Sequence, residues 1–334
     1  MKKSFIILSL FALLLFPVLA QSVAEKAQTK EITVYAYDSF TSDWGPGQAL
    51  VEAFEAKTGT KVNLIGYPGA VEMLSQVEFE GKNCKADVVI GISDTMACDE
   101  SMFTVWQPDC YENLEGYNPE SGLIPFDYGI FAFVFNSRAN MIAPKSLEDL
   151  TGEGFKNMVI LIDPRTSSVG LGCLMWTIEA MGEEKAMQWW QAMAENALTV
   201  SSSWSNAYGL FTEGEAPLVL SYTTSPVYHA MWDGHNDFVA LEFSEGHYMT
   251  TEYMGILETS TKKDLAKEFC NFILTEGQSK IATDNTMFPA NRTTVLPEAF
   301  EWALMPEKIL NENVKTDTSQ IDRYIDLWTK AVVK

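Results

Sequence analysis

The residues of this chain that could do chemistry begin with an acid and an indole in one turn. Asp38 and Trp44 follow the alternating strand Ile32–Tyr37 and precede a helix that Pro46 begins and Gly59 ends. Ligands bind at the carboxyl ends of strands in open α/β sheets. The pair is therefore predicted to bind a flat cationic group. The alternative is that Asp38 caps the turn while Trp44 packs in the core.

Two more polar turns follow strands of the same kind. The strand Asn157–Ile162 runs into Asp163–Ser168, and the strand Ala216–Tyr222 runs into Thr223–Pro226. Aromatic and small polar residues flank all three turns, and we expect them to share one edge of the fold. They are Tyr37, Asp38, Trp44, Ser167, Ser168, Trp204, Tyr222, Ser225 and Tyr228. The alternative is that a chain with 9 Trp places aromatic residues near every feature.

Motifs of common catalytic and metal sites are missing from the sequence. It contains no Gly-x-Ser-x-Gly, no His-Glu-x-x-His and no Gly-x-x-x-x-Gly-Lys loop. Its 3 histidines, His229, His235 and His247, are not spaced as metal ligands, and packing or surface roles are predicted for them. The tyrosine pair with which some exported binders hold ferric iron is also missing. We therefore expect neither catalysis nor a metal.

Composition excludes several partners. The chain has 45 acidic and 23 basic residues and a net charge of −22, which repels nucleic acid and anionic lipid. Its 5 cysteines have no Cys-x-x-Cys spacing, so a zinc site is not expected. One disulfide stays open as a hypothesis, with Cys98 and Cys110 as the favoured pair and Cys84 unassigned.

The first 20 residues have the pattern of a secretory signal peptide. Lys2 and Lys3 precede the apolar run Phe5–Phe16, and small residues end the segment at Val18–Ala20. No cysteine lies near this end, so we expect no lipid anchor. No later apolar stretch has the length that a membrane crossing needs. The expected location is the periplasm of a bacterium with two membranes.

The remaining pattern predicts an α/β protein of about two domains. Strands at 31–37, 61–66 and 86–91, with helices between them, form a βαβαβ unit, and a second α/β series follows from 157. The strand Ile130–Phe135 is apolar on both faces, as expected of a buried segment that crosses between domains. The segment Glu252–Leu257 is predicted to cross back. A last helix is predicted to start near Ser319, with Asp322 as its capping partner.

Seven blocks in order resemble those of the thiamine-binding periplasmic proteins of bacterial ABC transporters. The blocks are Tyr35–Gly47, Glu80–Val89, Pro125–Gly129, Asp163–Ser167, Trp204–Phe211, Leu220–Pro226 and Ser244–Tyr248. The similarity runs along nearly the whole chain after the predicted signal peptide. Seven ordered blocks are far more specific than any single motif.

The resemblance implies a two-lobed type II periplasmic-binding fold with crossing hinge segments. Residues 31–127 and 250–300 would form lobe 1, and residues 128–249 would form lobe 2. Residues 301–334 would form a helical segment that packs on the lobes. The two lobes would close over the ligand.

The resemblance also implies which residues contact the ligand. Gly69 and Ala70 align with a contact loop but differ in residue type, so only their backbone is carried over. Ser167 and Ser168 suit the hydroxyethyl or phosphate end of thiamine. The other implied contacts are Tyr37, Asp38, Trp44, Trp204, Tyr222, Thr223, Thr224, Ser225 and Tyr228. One position departs from the family, which has Trp where this chain has Thr286.

The function implied is capture of thiamine, with its phosphate esters, and delivery to a membrane permease that an ATPase drives. No cofactor and no catalytic residue is expected, and we expect a monomer. A binder of another organic cation, such as a polyamine, would use the same acids and aromatic rings but does not need the Asp163–Ser168 turn. A secreted hydrolase would need a base beside Ser167, for which no histidine is identifiable. A structural envelope protein is excluded only by the resemblance.

Overall fold

The structure is a computed structural model that describes residues 30–311 and 317–333. The predicted signal peptide, residues 1–20, lies outside these ranges. The strands are β1 Glu31–Tyr37, β2 Lys61–Tyr67, β3 Val88–Ser93, β4 Leu123–Asn136, β5 Val159–Ile162, β6 Thr199–Ser201, β7 Leu218–Tyr222, β8 Phe238–Ala240, β9 Met249–Ile256 and β10 Phe288–Pro289.

Helices cover the sheet and connect its strands. They are α1 Asp38–Thr41, α2 Pro46–Thr58, α3 Ala70–Glu80, α4 Ser168–Met181, α5 Glu183–Asn196, α6 Trp204–Thr212, α7 Ser225–Tyr228, α8 Lys263–Leu274, α9 Gln278–Lys280 and α10 Ile321–Val332. Single π-helical turns follow α7 at His229–Asp233 and α9 at Ile281–Asn285. In the described ranges, no helix combines the length and the apolar composition that a membrane crossing requires.

The strands form one mixed sheet in the order β2-β1-β3-β9-β4-β7-β5-β6, with β8 and β10 paired to β4. β1 is parallel to β2 and β3, and β5 is parallel to β6 and β7. β9 is antiparallel to both β3 and β4. The two parallel groups are therefore joined through two antiparallel strands.

β4 is the strand on which the two halves of the sheet meet. Its residues Leu123–Ile130 pair with β9, and its residues Phe131–Phe135 pair with β7. The sequence predicted only Ile130–Phe135 as strand, with Pro125–Gly129 leading into it, whereas the strand begins at Leu123. Pro125 is accommodated at a register shift next to Asp127, where a ladder hydrogen bond is not required.

The buried apolar residues form separate clusters on the two sides of this junction. Ile32, Val34 and Phe54 belong to a cluster around β1, whereas Ile160 and Trp176 belong to a larger one around β5 and α4. The predicted lobe boundaries at 127/128 and 249/250 remain predictions. The change of partner in β4 after Ile130 supports them.

Local sequence signals placed the helix after the first strand correctly. Pro46 lies in the first turn of α2, and Gly59 ends it with φ 72°, a left-handed conformation that favours glycine. The predicted cap of the last helix was wrong in detail. The carboxyl group of Asp317, not Asp322, caps the last helical segment by accepting from the Ser319 N–H at 3.0 Å, and α10 itself begins at Ile321.

The proposed disulfide is a further correction. All five cysteines are free thiols in the structure. Cys110 packs against the cluster around β1. Cys98 packs against the cluster around β5 and α4 and against a third cluster that includes Met73 and Phe103. A Cys98–Cys110 bond would have to join different parts of the core.

The C-terminal helix α10 packs on α5. Trp328 is 1% exposed and meets the Trp190 ring edge-on at 5.8 Å between ring centroids. The guanidinium group of Arg165 lies 5.1 Å from the centroid of Trp328. Arg323 donates to both carboxylate oxygens of Glu183 at 2.8 and 2.7 Å. α10 thus stabilises the half of the sheet that carries the Asp163–Ser168 turn.

We expect Trp328→Ala to lower the free energy of unfolding by about 3–5 kcal/mol, because it opens a cavity beside Trp190. Denaturant unfolding followed by circular dichroism measures the loss. Trp302→Ala is the matched control, since Trp302 is 42% exposed, and a change within about 0.5 kcal/mol is expected for it. Equal effects of the two substitutions would contradict the packing role of α10.

Candidate ligand-binding site

A cavity of about 400 Å³ opens where strand ends and helix starts from both halves of the sheet converge. Tyr37 ends β1 and Tyr222 ends β7, and the amino-terminal ends of α3, α4 and α6 point into the same space. This volume is within the usual range of small-molecule sites. The three polar turns singled out in the sequence therefore meet at one place.

All but one of the predicted contact residues line this cavity. Those that do are Tyr37, Asp38, Trp44, Gly69, Ala70, Ser167, Ser168, Trp204, Tyr222, Thr224, Ser225 and Tyr228. The exception is Thr223, whose side chain is fully buried behind the lining. Its backbone N–H donates to the Ile130 carbonyl at 2.8 Å, and its carbonyl accepts from the Leu304 N–H at 3.0 Å. Thr223 thus holds the turn to β4.

Stacked rings form one wall of the cavity. The rings of Trp204 and Tyr208 stack at 4.9 Å between centroids, and the ring of His229 is nearly parallel to Tyr208 at 5.8 Å. Trp44 approaches Trp204 from across the opening at 6.0 Å. Trp44 is 42% exposed, so the alternative that it packs in the core is wrong.

The Trp204 ring is held by hydroxyl groups at the end of β7. Its indole N–H donates to Ser221 Oγ at 2.8 Å, and Ser221 shares a hydrogen bond of 2.7 Å with Ser225. Ser225 Oγ also accepts from the Tyr222 N–H at 3.2 Å. The ring is therefore oriented before any ligand arrives, which lowers the entropic cost of binding.

The amino-terminal ends of helices give parts of the site a partial positive charge. Ser167 Oγ accepts from the Val169 N–H at 3.3 Å to cap α4, and Ser203 Oγ accepts from the Asn206 N–H at 3.2 Å to cap α6. Gly69 precedes α3 at a close approach, because a Cβ atom there would lie 3.1 Å from the Thr166 carbonyl oxygen. Free N–H groups and the helix dipole favour an anionic or hydroxyl group at such ends.

The formal charge of the lining is negative. Four carboxyl side chains line the cavity, and no lysine or arginine is found among the described residues that line it. The acids are Asp38, Asp233, Glu252 and Asp284. Asp38 Oδ1 accepts from the Ser39 N–H at 2.7 Å, and burial raises the pKa of Asp38 above its ordinary value. Such a lining favours a cationic ligand over an anionic one.

The floor of the cavity contains a buried polar chain. The Tyr37 hydroxyl donates to Glu252 Oε2 at 2.7 Å. Asn285 Nδ2 donates to Tyr37 Oη at 3.3 Å and to Asp127 Oδ2 at 2.7 Å. Asp127 is fully buried, and within the described ranges its Oδ1 has no hydrogen-bond partner. Two acids thus lie at the floor with only neutral partners.

Two histidines come together on one side of the cavity, contrary to the expectation from their spacing. Ligand atoms of His229, Asp233 and His235 lie within 4.8 Å of one another. His229 is already satisfied, because Nδ1 pairs with Asp233 at 2.6 Å and Nε2 with the Tyr208 hydroxyl at 2.9 Å. Burial lowers the pKa of His229, which keeps the imidazole neutral near neutral pH. This cluster could offer ligands to a metal only by giving up those bonds.

His247 has the packing role predicted for it. Its Nδ1 donates to the Phe131 carbonyl at 2.8 Å, and its Nε2 accepts from the Phe243 N–H at 3.0 Å. The imidazole stacks on Trp176 at 5.3 Å. It lies behind the cavity and holds β4 at the junction.

Thr286 lines the cavity in an unusual conformation. Its φ is 48°, a left-handed value that is strained for a β-branched residue. Phe288, the residue that could have replaced the missing family tryptophan, is not part of the lining, because it stacks on Tyr128 at 5.2 Å. The cavity therefore has no aromatic ring at this position.

Several lining residues escaped the sequence reasoning. Tyr208 could have been found, since it follows Trp204 by four positions and shares its helix face. Glu252 is an acid within a strand that is otherwise buried at alternate positions, which is a weaker signal. No sequence signal identifies Asn285, because its role depends on Asp127 and Tyr37, which are far away in the sequence.

Among the described residues that line the cavity, no serine is paired with a histidine that could act as its base. Ser167 caps α4, and the hydrogen bonds of the one lining histidine, His229, go to Tyr208 and Asp233. A hydrolase would require a serine and a histidine within hydrogen-bond distance of each other.

Comparison with known proteins gives consistent results. The family model described as bacterial extracellular solute-binding protein matches residues 86–307. The thiamine-binding periplasmic protein of Escherichia coli strain K12 is 38% identical over 307 residues, covering 90% of this chain and 93% of that protein. The thiamine-binding periplasmic protein of Brucella melitensis is 38% identical over 310 residues, covering 91% and 92%.

A solved structure agrees with these relatives. A periplasmic thiamin binding protein superposes with a TM-score of 0.84 at 36% identity, covering 92% of this chain and 98% of that chain. The two-lobed type II periplasmic-binding fold that the sequence resemblance implied is thereby confirmed. The family match covers more than half of the chain and includes β9 and the turns at Asp163–Ser168 and Thr223–Pro226. This chain belongs to the bacterial extracellular solute-binding proteins.

Proposed function

We propose that this protein captures thiamine in the cavity and delivers it to the permease of an ABC importer. The observation that carries the proposal is a lining of stacked rings and four carboxyl groups without a lysine or arginine among the described lining residues. The relatives at 38% identity that are named thiamine-binding periplasmic proteins support the choice of ligand. Their name also supports a periplasmic location.

The two rings of thiamine suit different parts of the cavity. The thiazolium ring is a flat cation, and the faces of Trp204 and Trp44 attract such a ring by about 0.5–2 kcal/mol each. The amino group of the pyrimidine is a donor for the Asp38 carboxylate. The hydroxyethyl group, or the phosphate of an ester, would reach the N–H groups at the start of α4, next to Ser167 and Ser168.

Capture would proceed by closure of the two lobes on the ligand. Asp38 and Trp44 belong to the predicted lobe 1, whereas Ser167 and Trp204 belong to the predicted lobe 2. A ligand that contacts both sets of residues stabilises the closed form. We propose that the closed monomer is the form that the permease recognises and that an ATPase drives the release.

A polyamine is the second candidate ligand, since the four carboxyl groups would also attract alkylammonium ions. Stacked rings and a free helix start are of less use to such a flexible chain. Thiamine accounts for both features.

We expect thiamine to bind one molecule per monomer and to quench the tryptophan fluorescence, because Trp204 and Trp44 lie against the ring system. A titration with calorimetry measures affinity and stoichiometry. Spermidine is the competitor that distinguishes the two ligands. If spermidine binds and thiamine produces neither heat nor quenching, thiamine is the wrong ligand.

We expect Asp38→Asn to weaken thiamine binding by about 1.5–3 kcal/mol, which is tenfold or more in the dissociation constant. The reason is the loss of a charge-assisted hydrogen bond to the pyrimidine amino group. Asp163→Asn is the control, because Asp163 accepts from the Arg165 N–H at 2.8 Å and is not part of the lining. It should lower the melting temperature and leave the affinity intact. Unchanged thiamine affinity in a folded Asp38→Asn protein would contradict a contact between Asp38 and the ligand.

We expect Thr286→Trp to tighten thiamine binding by about 0.5–2 kcal/mol, since it adds the aromatic face that the lining lacks. Thr286→Leu is the control that adds apolar bulk without a π face. Dissociation constants in one buffer separate the two effects. A weaker Thr286→Trp protein would mean that the indole overpacks the cavity and hinders closure.

A further inference from the structure

Two buried acids face each other at the floor of the cavity. Asp127 on β4 and Glu252 on β9 are direct partners across the antiparallel pair. They are 0% and 7% exposed, respectively. Side chains of direct partners have Cβ atoms about 4.5–5.5 Å apart, and like charges there are destabilising. At most one of the two groups can be ionised at moderate cost.

The surroundings supply no positive charge to either acid. The hydrogen-bond partners are the Tyr37 hydroxyl on Glu252 and the Asn285 amide on Asp127. Across residues 30–311 and 317–333, no lysine, arginine or histidine forms an ion pair with Asp127 or Glu252. A buried carboxyl group without a counter-ion takes up a proton instead of remaining charged.

The pKa values follow this geometry. Burial, with the neighbouring Glu252 as the second cause, raises the pKa of Asp127 well above its ordinary range. Burial raises the pKa of Glu252 from its ordinary 4.5 to about 7. Burial and the neighbouring Glu252 therefore favour the protonated form of Asp127, whereas Glu252 itself is close to its titration point at neutral pH.

Every titratable group that faces the pair is neutral or acidic. Tyr37 on β1 and Tyr222 on β7 are buried phenols whose pKa values burial raises. Asp94, after β3, accepts from the Thr250 hydroxyl at 2.9 Å, and burial raises its pKa to about 6. The remaining titratable groups of the lining are Asp38, Tyr208, Tyr228, His229, Asp233 and Asp284. None of them is a permanent cation.

Glu252 is the member of the pair that a ligand can reach. It lines the cavity, whereas Asp127 does not. The only hydrogen bond on its carboxyl group within the described structure goes to Oε2, so Oε1 remains for a ligand. A permanent cation placed beside a carboxyl group favours its charged form. The missing counter-ion of Glu252 can therefore come from the ligand itself.

We propose that Glu252 releases a proton when a cationic ligand enters the cavity and then acts as the counter-ion of that ligand. The proton leaves the carboxyl group for the solvent, and the charge of the floor changes from zero to minus one as the cation arrives. Capture is thus an exchange of one cation for one proton. The proposal rests on the proposed function, because thiamine carries the permanent positive charge.

Proton release is measured by calorimetric titration of thiamine in two buffers whose heats of ionisation differ, phosphate and Bis-Tris for the lower pH and phosphate and Tris for the higher pH. At about pH 6 the wild-type protein should release close to one proton per thiamine, and at about pH 8 close to none. As the pH rises toward 7, the dissociation constant should fall by up to about tenfold per pH unit. Above pH 7 it should level off.

Glu252→Gln tests the group directly. This variant should show no dependence on buffer or pH, and at about pH 8 it should bind thiamine at least about tenfold more weakly than the wild type, because the counter-ion is lost. The difference in thiamine affinity between the wild type and Glu252→Gln should become smaller as the pH falls. Asp127→Asn is the matched control, since a neutral amide replaces a protonated acid. It should retain proton release and the pH dependence.

Thermal melting without ligand separates this inference from the choice of thiamine. The folded pKa of Glu252 lies above its ordinary value, so the stability that the bound proton gives is present at about pH 5 and lost as the pH rises through about 7. Glu252→Gln should show a smaller loss, because the raised pKa values of Asp127 and Asp94 contribute to the loss in both proteins.

Thiamine binding without proton release and with unchanged affinity in Glu252→Gln overturns the exchange and leaves the proposed function standing. Absence of thiamine binding in the wild type overturns the proposed function, and the melting curves alone then support or overturn the buried proton. Loss of proton release in Asp127→Asn instead of Glu252→Gln overturns the choice of Glu252.

Discussion

The structure depends on one strand, β4, which belongs to both halves of the sheet. Residues Leu123–Ile130 pair with β9 and Phe131–Phe135 pair with β7, so a single run of backbone fixes where the two groups of strand ends meet. Because covering elements bury both faces, the strand is apolar almost throughout. Asp127 is the exception, and it lies below the cavity. The junction that joins the halves therefore also builds the floor of the site.

Desolvation is the physical cause that connects the floor, the wall and the proposed ligand. Carboxyl groups without basic partners in the described part of the lining hold a potential that attracts cations. Inside a cavity of low dielectric constant this potential is stronger than it would be on the surface. The same desolvation raises the pKa of Asp38 and Glu252 when no ligand is present. A thiazolium ring would offset the cost of ionising these buried carboxyl groups while it stacks on an indole ring.

Preorganisation explains why the wall can hold a flat ring. Trp204 and Tyr208 are four residues apart on α6 and therefore stack, and Ser221 fixes the indole by a hydrogen bond of 2.8 Å. Tyr208 in turn meets His229, which pairs with Asp233. Each ring is thus held by a partner that a ligand does not have to displace. The departure at Thr286 leaves one side of the cavity without such a ring.

The sequence by itself determined what depends on local periodicity and on turn chemistry. Neighbouring residues decide the extent of α2 between Pro46 and Gly59 and the strands that end at Tyr37 and Tyr222, so these could be identified. The same holds for the polar turns whose residues line the cavity. Only the tertiary structure decided what depends on residues far apart in the chain. The pairing of Asp127 with Glu252, the burial of Thr223 and the free thiols of Cys98 and Cys110 belong to this class. Strand register and burial are set by the whole sheet, and desolvation acts on a group only after that sheet has removed it from water.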